Sequence, residues 1–200
     1  MTILPSIPRF GIVAAMSRNR IIGINGRLPW SVPEDRTTFQ ELTRDKILII
    51  GRNTYNEETD ECHICHAKSC IVVSTTADDT LGSDLVKVAR SFPEALAMAK
   101  ELATFDENNI HCWVAGGERL YEEALRHKSA KELHLTVLDL DLDPSAFRTD
   151  DNPAKVALFP RKYIWDRNFV EVSKATCRSE GGNTYTRLVY ARNQRQLEVP

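Results

Sequence analysis

The sequence lacks the features that direct a protein to a membrane or to a nucleic acid. Its 26 basic and 28 acidic residues leave a formal net charge of -2, so no positive excess is available for a phosphate backbone or for anionic lipids. It has no apolar run of about eighteen residues, and no basic stretch precedes an apolar one at its N-terminus. We therefore expect a soluble, cytoplasmic protein that binds neither a membrane nor a nucleic acid.

Cysteine is scarce, and its five copies are unevenly placed. Three of them fall within residues 61–70, while Cys112 and Cys177 lie in strand-like runs. An odd number in this arrangement argues against a disulfide framework. Two histidines are interleaved with the cysteines of 61–70, but the pattern lacks the distant second ligand pair that a structural zinc site needs. We favour reduced thiols and loop histidines, and we predict no metal.

The sequence is well supplied with short apolar runs that are rich in valine and isoleucine. Five continuous runs come first, at 10–16, 46–51, 70–75, 85–89 and 111–116. Three alternating runs follow, at 133–140, 169–177 and 184–191. Continuous runs are typical of strands covered on both faces, and alternating runs of antiparallel strands with one wet face. With helical patterns between the early runs, the sequence predicts an α/β fold: a mixed sheet of about eight strands, four helices, and a C-terminal antiparallel hairpin at one edge.

Residues 141–168 separate two of the alternating runs. They are rich in turn residues and acidic at first, which predicts a long surface connection between two strands. We divide the chain into an N-terminal extension (1–9), a single domain (10–192) and a polar tail or start of a linker (193–200).

Asp35 lies on the apolar face of a predicted helix, where burying a charged carboxylate costs free energy. The segment GINGRLPWSVPEDRTTFQELT (23–43) leads into a predicted helix, in which Asp35, Phe39 and Leu42 are spaced i, i+4 and i+7. These residues share one helical face, so the carboxylate points where the apolar side chains point. A carboxylate on an apolar face needs a partner, and that partner can be a ligand.

A structural explanation competes with this one. Acidic residues are common in a first helical turn, where they stabilise the helix dipole, and Ser31 with Glu34 fits the pattern of a capping box. This explanation accounts well for Glu34. It accounts less well for Asp35, which lies on the apolar face.

Several predicted strands end in residues suited to an anion. VAGGERLY passes from a strand through Gly116 and Gly117 into a helix, a layout that exposes free amide groups to a phosphate. GRNTY repeats the layout with Arg52, and Ser74 and Arg90 follow two further strands. The spacing is not that of the Rossmann fingerprint. Gathered arginines and hydroxyl groups are what the 2'-phosphate of NADP requires, although each arginine alone is more often a solvated surface residue.

Taken in order, these segments resemble a dihydrofolate reductase. The resemblance covers residues 10–192 through IVAAMSRNRIIGINGRLPW, PEDRTTF, GRNTY, CIVVST, VAGGERLY, LHLTVLD and YTRLVY. Its most specific part is Leu-Pro-Trp, followed by an acid five residues after the tryptophan and a phenylalanine four residues later. The resemblance implies a single-domain dihydrofolate-reductase-like fold and NADPH-dependent reduction of dihydrofolate to tetrahydrofolate, for one-carbon metabolism. It also implies a target for antifolate inhibitors, and it permits a fused or adjacent thymidylate synthase, as in some members of the family.

The resemblance assigns the catalytic role to Asp35, as the acid that binds the pterin and favours protonation of N5 while C6 accepts a hydride. Thr136 is expected to orient this acid, and solvent water to supply the proton through motion of the loop 23–28. The residues expected to bind the substrate are Val13, Ala14, Leu28, Trp30, Asp35, Phe39, Lys68 and Thr136. The residues expected to bind NADPH are Ala15, Ile22, Gly26, Arg27, Arg52, Asn53, Thr54, Ser74, Thr75, Arg90, Gly116, Gly117, Glu118, Arg119, Leu120 and Tyr121.

Two other functions stay open at this point. A reductase of the same fold that acts on another ring, as in riboflavin synthesis, needs no carboxylate after Leu-Pro-Trp, so Asp35 argues against it. A non-catalytic binding module stabilised by zinc is the second, and it would use the cysteines of 62–70.

The sequence departs from the family at Lys68, where an arginine usually grips the carboxylate of the substrate's glutamyl tail. Lysine keeps the charge but lacks the bidentate fork, so we expect weak binding of this tail. The segment 56–67 also replaces the family's proline-rich turn beside the substrate entrance. Lys68→Arg is expected to lower the KM for dihydrofolate in steady-state kinetics, and an unchanged KM contradicts this role for Lys68.

Overall fold

The computed structural model describes residues 8–60, 64, 66–76, 84–103, 109–148 and 152–193. In these ranges the strands are β1 (Phe10–Ser17), β2 (Ile21–Ile24), β3 (Ile47–Gly51), β4 (Ser69–Val73), β5 (Val86–Ala89), β6 (Cys112–Val114), β7 (Ala130–Leu138), β8 (Val156–Leu158), β9 (Phe169–Arg178) and β10 (Thr184–Arg192). The α-helices there are α1 (Pro33–Thr43), α2 (Arg52–Asp60), α3 (Phe92–Leu102) and α4 (Glu118–Arg126).

An eight-stranded sheet in the order β5-β4-β3-β6-β1-β7-β10-β9 forms the centre of the fold. The first six strands in this order, β5, β4, β3, β6, β1 and β7, are parallel to one another. β10 joins β7 antiparallel, and β9 and β10 form the antiparallel hairpin at the edge. The predicted mixed sheet, helices and hairpin are confirmed. The expectation of one wet face is wrong for β9, which is exposed along most of its length because it is the last strand of the sheet.

The two faces of the sheet carry separate layers of helices. On β3, Ile47 and Ile49 join a core that includes buried residues of α3 and α4. The alternate residues, Leu48 and Ile50, belong to a second core, against which residues of α1 and α2 pack. Side chains alternate between the faces of a strand, so the continuous apolar run of β3 serves both layers.

The second half of the stretch 141–168 is not a surface connection, and that expectation is wrong. β8 lies in this stretch and pairs antiparallel with β2, forming a separate two-stranded sheet. Phe159 and Trp165 are only 1% and 4% exposed and belong to the core that also includes residues of α3 and α4. Strands of three or four residues carry too few alternations to be detected from periodicity, and the turn-rich residues before them hid the pattern.

Gly11 on β1 lies beside Trp113 of β6, which is its register partner. A Cβ atom built on Gly11 would lie 2.5–2.7 Å from three atoms of the buried indole ring. The indole in turn packs edge-on against His134, with ring centroids 5.2 Å apart. Any larger residue at position 11 must therefore displace a ring that the neighbouring strands hold.

Gly11→Ala is expected to destabilise the fold by about 1–3 kcal/mol, the usual cost of overpacking a core. The measurement is the free energy of unfolding in urea. Gly23→Ala on β2 is the matched control, because its added Cβ would find its nearest atoms at 3.6 Å and 4.0 Å, which is ordinary contact. Equal stability of the two variants contradicts the prediction.

Candidate active site

A pocket lies between α1, the loop before it, the strands β1, β7 and β10, and the turn that follows β6. Among the residues predicted to bind the substrate, those that line it are Val13, Ala14, Leu28, Trp30, Asp35, Phe39 and Thr136. Among those predicted to bind the cofactor, the lining includes Ala15, Ile22, Thr54, Gly116, Gly117 and Tyr121. Segments that are distant in the sequence therefore meet around one cavity.

Asp35 is the acid of this pocket, and it is half-buried there. Its Oδ1 accepts a hydrogen bond of 2.5 Å from the hydroxyl group of Thr136 on β7. Burial raises the pKa of Asp35, while the hydrogen bond from Thr136 and the positive charge of Arg187 lower it, with burial the largest of the three effects. Phe39 and Leu42 also line the pocket, so the predicted shared face of α1 is confirmed. Asp35 is the one carboxylate among the described residues of the lining, and it faces a slot with apolar side chains such as Val13, Trp30 and Phe39. There it can bind a polar edge of a flat ligand.

The capping box proposed as a structural explanation does not form. Val32 is the N-cap residue of α1, and its carbonyl oxygen accepts from the amide groups of Asp35 and Arg36. Glu34 instead accepts a hydrogen bond of 2.8 Å from the backbone N–H of Glu180 in the β9–β10 turn, which lowers the pKa of Glu34. Pro33 occupies the first helical position, so the helix begins one residue later than the box requires.

The turn after β6 is built from Gly116 and Gly117, which are joined by a cis peptide bond. The N–H of Gly51, at the end of β3, donates to the carbonyl oxygen of Gly116 at 2.6 Å. A Cβ on Gly51 would lie 3.3 Å from the amide nitrogen of Gly117. The hydroxyl group of Tyr121 donates a hydrogen bond of 2.9 Å to the carbonyl oxygen of Val13, which connects α4 to β1. The N-termini of α2 and α4 therefore open at neighbouring strand ends, where backbone amides can bind a diphosphate.

The residues predicted to hold a 2'-phosphate lie beyond this turn, at the carboxyl ends of three adjacent parallel strands. Arg52 follows β3, Ser74 and Thr75 follow β4, and Arg90 follows β5. Nη1 of Arg90 donates to the carbonyl oxygen of Ser74 at 3.5 Å, so two of these strand ends are in contact. Nε of Arg52 donates to the side chain of Asn56 at 3.1 Å. The predicted gathering of cations and hydroxyl groups at one edge is thus present.

The other predicted cofactor residues lie outside the pocket lining. Gly26 and Arg27 are exposed in the loop between β2 and α1, and Asn53 and Arg119 are exposed on their helices. Glu118 accepts a hydrogen bond from the backbone N–H of Leu158, which ties α4 to β8. Leu120 is 5% exposed and belongs to the core.

Lys68 also lies outside the pocket lining. Its side chain is exposed, and Nζ donates to the carbonyl oxygen of Leu102 at the end of α3, at 3.2 Å. Cys62, His63 and Cys65 lie outside the described residues. His66 bonds through Nε2 to the hydroxyl group of Thr43 at 2.6 Å. Within the described ranges, no three histidine, cysteine or acidic side chains are grouped as metal ligands.

Sequence reasoning missed two polar residues that the sheet contributes to the pocket wall, His134 and Arg187. His134 lies two residues before Thr136 on β7, and Arg187 is the register partner of Thr136 on β10. The alternation of the two strands indicated which residues share a face, but the register that brings them beside Asp35 is set by tertiary pairing. The other missed lining residues are Val32, Arg36, Thr38, Leu42, Ala115, Leu135, Leu188 and Val189.

A search of the described residues found no helix of the length and apolarity needed to cross a membrane.

Comparison with known proteins identifies the family. A family model described as dihydrofolate reductase matches residues 9–174. The dihydrofolate reductase of Enterococcus faecium is 32% identical over 66% of this chain and 73% of that protein. Dihydrofolate reductase HdrB of Haloferax volcanii is 35% identical over 66% of each chain. The bifunctional dihydrofolate reductase-thymidylate synthase of Acanthamoeba polyphaga mimivirus is 28% identical over 87% of this chain, which spans only 32% of that protein.

The matched span runs from the start of β1 into β9. It contains the half-buried carboxylate on α1, the threonine on β7 that binds it, and the paired glycines after β6. Because the sequence match includes each of these parts and the fold brings them into one pocket, the chain belongs to the dihydrofolate reductase family.

Proposed function

We propose that this protein reduces 7,8-dihydrofolate to 5,6,7,8-tetrahydrofolate with NADPH as the reductant. The observation that carries the proposal is the half-buried carboxylate of Asp35, bonded to Thr136 and facing an apolar slot. A pterin presents a flat ring with an edge of N–H donors, and a carboxylate in an apolar pocket is complementary to such an edge. A ring without that edge would leave the half-buried acid without a partner.

Asp35 and Thr136 bind and orient the pterin in this proposal. The carboxylate favours a positively charged ring, so it stabilises the substrate with a proton on N5. Bound NADPH supplies the hydride that C6 accepts. Asp35 has no direct part in moving the proton, which solvent water delivers when the loop 23–28 opens. The side chains of Trp30 and Phe39 line the slot and exclude bulk water from the ring.

The proposed cofactor site rests on the neighbouring ends of β3 and β6. Gly51 and Gly116 have little room for a side chain, since an added Cβ would lie 3.3 Å from the amide nitrogen of Gly117 and 3.1 Å from the hydroxyl group of Tyr121, respectively. With no side chains on this turn, a diphosphate can approach the amides at the start of α4. Arg52 and Arg90 follow β3 and β5, at the same edge of the sheet as this turn. Two guanidinium groups there would favour NADPH, which carries an extra phosphate, over NADH.

The alternatives have less support. A reductase for another ring would not use Asp35, and the zinc-stabilised module rests on residues that mostly lie outside the described ranges. Stoichiometric zinc in the purified protein, with unfolding on chelation, would favour that module.

Relatives that are bifunctional with thymidylate synthase support a fused or adjacent synthase as a proposed partner. We also propose the cytoplasm as its location, where the buried thiols of Cys70 and Cys112 stay reduced.

Asp35→Asn tests the substrate assignment. We expect the rate of NADPH oxidation with dihydrofolate at pH 7 to fall by about 100-fold or more, the usual loss when a group that stabilises charge in the transition state is removed. The rate should partly recover in acid, because substrate that is already protonated needs no carboxylate. Glu34→Gln removes the adjacent carboxylate, which is bonded to Glu180, and should leave the rate near that of the wild type.

Stability gives a second measurement on the same variant. Burial raises the pKa of Asp35, so the native state holds this proton more tightly than the unfolded chain does. Stability is therefore lost as the pH rises from the unfolded pKa through the folded pKa. Asp35→Asn removes this loss, so its Tm at neutral pH should exceed that of the wild type. A variant that is both active and no more stable contradicts the assignment.

Arg52→Gln and Arg90→Gln test the choice of cofactor. Each is expected to raise the KM for NADPH by about tenfold, since a hydrogen bond to a charged group contributes about 1.5–3 kcal/mol. The KM for NADH should change little. Arg126→Gln is the control, because Arg126 is exposed at the end of α4 and pairs with Glu122 at 2.8 Å. Equal losses with NADPH and NADH contradict a role in binding the 2'-phosphate.

A further inference from the structure

Two arginines line the pocket, Arg36 on α1 and Arg187 on the opposite side, in the sheet. Arg187 on β10 is the direct register partner of Thr136 on β7. Residues directly opposite each other in an antiparallel pair project from the same face of the sheet. Arg187 therefore faces α1 together with Thr136, and both line the pocket with Asp35.

Arg187 is anchored to the helical turn that carries Asp35. Its Nη2 donates to the backbone carbonyl oxygen of Glu34 at 3.0 Å and to the hydroxyl group of Tyr185 at 3.5 Å. The guanidinium carbon lies 5.4 Å from the centre of the Tyr185 ring. These contacts fix the cation beside the residue that directly precedes Asp35, while Oδ1 of Asp35 is bonded to Thr136.

The anchoring is incomplete, which argues against a purely structural role. Nε of Arg187 is buried and has no hydrogen-bond partner within the described part of the chain. A buried cation with an unsatisfied donor costs stability, and an apolar side chain in its place would avoid that cost. Such local conflicts are common at functional sites.

Arg187 is the cation that acts on Asp35. The titratable and charged groups around this carboxylate in the described chain are Glu34 and Arg36 on α1, Tyr121 on α4, His134 on β7, and Tyr185 and Arg187 on β10. Of these, Arg187 lowers the pKa of Asp35, in opposition to burial. The carboxylate of Glu34 accepts from the backbone N–H of Glu180, and this bond and, less strongly, the charge of Arg187 lower the pKa of Glu34.

We propose that Arg187 is a positioning residue of this active site, which holds the first turn of α1 against β10 and places a fixed positive charge beside the carboxylate of Asp35. The guanidinium group is held beside the carboxylate by its hydrogen bond to the carbonyl oxygen of Glu34. Within the described chain it forms no hydrogen bond to Asp35 in this arrangement, so the carboxylate stays available to a ligand. The kinetic consequence of this proposal rests on the proposed reduction of dihydrofolate, but the charge effect on Asp35 does not.

The direct test is a titration of Asp35 by carbon-13 NMR of the full chain with carboxyl-labelled aspartate and no ligand. The resonance of Asp35 is identified by its loss in Asp35→Asn. Arg187→Gln keeps an amide donor but removes the charge, and Arg187→Lys keeps the charge without the fork. We expect the titration midpoint of Asp35 to shift to higher pH in Arg187→Gln and to stay near the wild-type value in Arg187→Lys.

Arg192→Gln is the matched control. Arg192 lies on the same strand and makes the same kinds of contact, since its Nη1 donates to the carbonyl oxygen of Leu125 at 3.5 Å and its guanidinium carbon lies 5.3 Å from the centre of the Phe169 ring. It is five residues along β10 from Arg187, and thus on the opposite face of the strand and roughly 16 Å away. Its substitution should leave the midpoint of Asp35 unchanged.

The kinetic test is the pH dependence of hydride transfer to dihydrofolate in single-turnover experiments. Removing a positive charge near the bound substrate makes the proton on its N5 harder to lose. The apparent pKa of the hydride-transfer step should therefore rise in Arg187→Gln, and the rate should persist to higher pH. Arg187→Lys should keep the wild-type profile.

Three results would overturn parts of this account, and they are distinguishable. An unchanged Asp35 midpoint in Arg187→Gln overturns the role of the charge. Equal upward shifts in Arg187→Gln and Arg187→Lys assign the effect to the lost anchor at Glu34 and overturn the charge effect as well. A wild-type protein that does not turn over dihydrofolate overturns the proposed function, while the NMR titration still decides the role of Arg187.

Discussion

The active site depends on the hydrogen bond between Thr136 and Asp35. Its donor lies within β7 and its acceptor lies in the first turn of α1, so it forms only when the helix is seated on the sheet. The constraint extends across the sheet, because Thr136 is paired with Ala15 on β1 and with Arg187 on β10. A shift of one residue in the pairing of β7 would turn Thr136 to the other face and leave a half-buried carboxylate without its donor.

The two halves of the site are built on different physical grounds. The carboxylate side uses buried side chains, whose burial opposes the charge on Asp35. The other side uses backbone: parallel strands end at one edge, and the contact between Gly51 and Gly116 leaves helix N-termini open to an anion. Tyr121 joins the halves, because it rises from α4 and bonds to Val13 on β1. Movement of α4 therefore affects both sides of the pocket.

Much of this arrangement was predictable from local patterns. Pro33 and the spacing of Asp35, Phe39 and Leu42 predict α1 with its observed bounds and its pocket-facing side, because periodicity and helix-start signals act within one segment. The eight strands of the main sheet follow from apolar runs in the same way. The pairing of β2 with β8 was missed, since it joins short segments that lie far apart in the chain.

Local sequence patterns were enough to predict the order of the eight main-sheet strands and the helices, the glycines of the turn after β6, and the acid on the apolar face of α1. These are local properties, decided by the spacing of residues along one segment. Only the tertiary structure decided that Arg187 stands beside Asp35, that Glu34 is held by the β9–β10 turn, and that Lys68 contacts the end of α3. The neighbours of a charge, and hence its burial and pKa, depend on register and packing between segments that are distant in sequence.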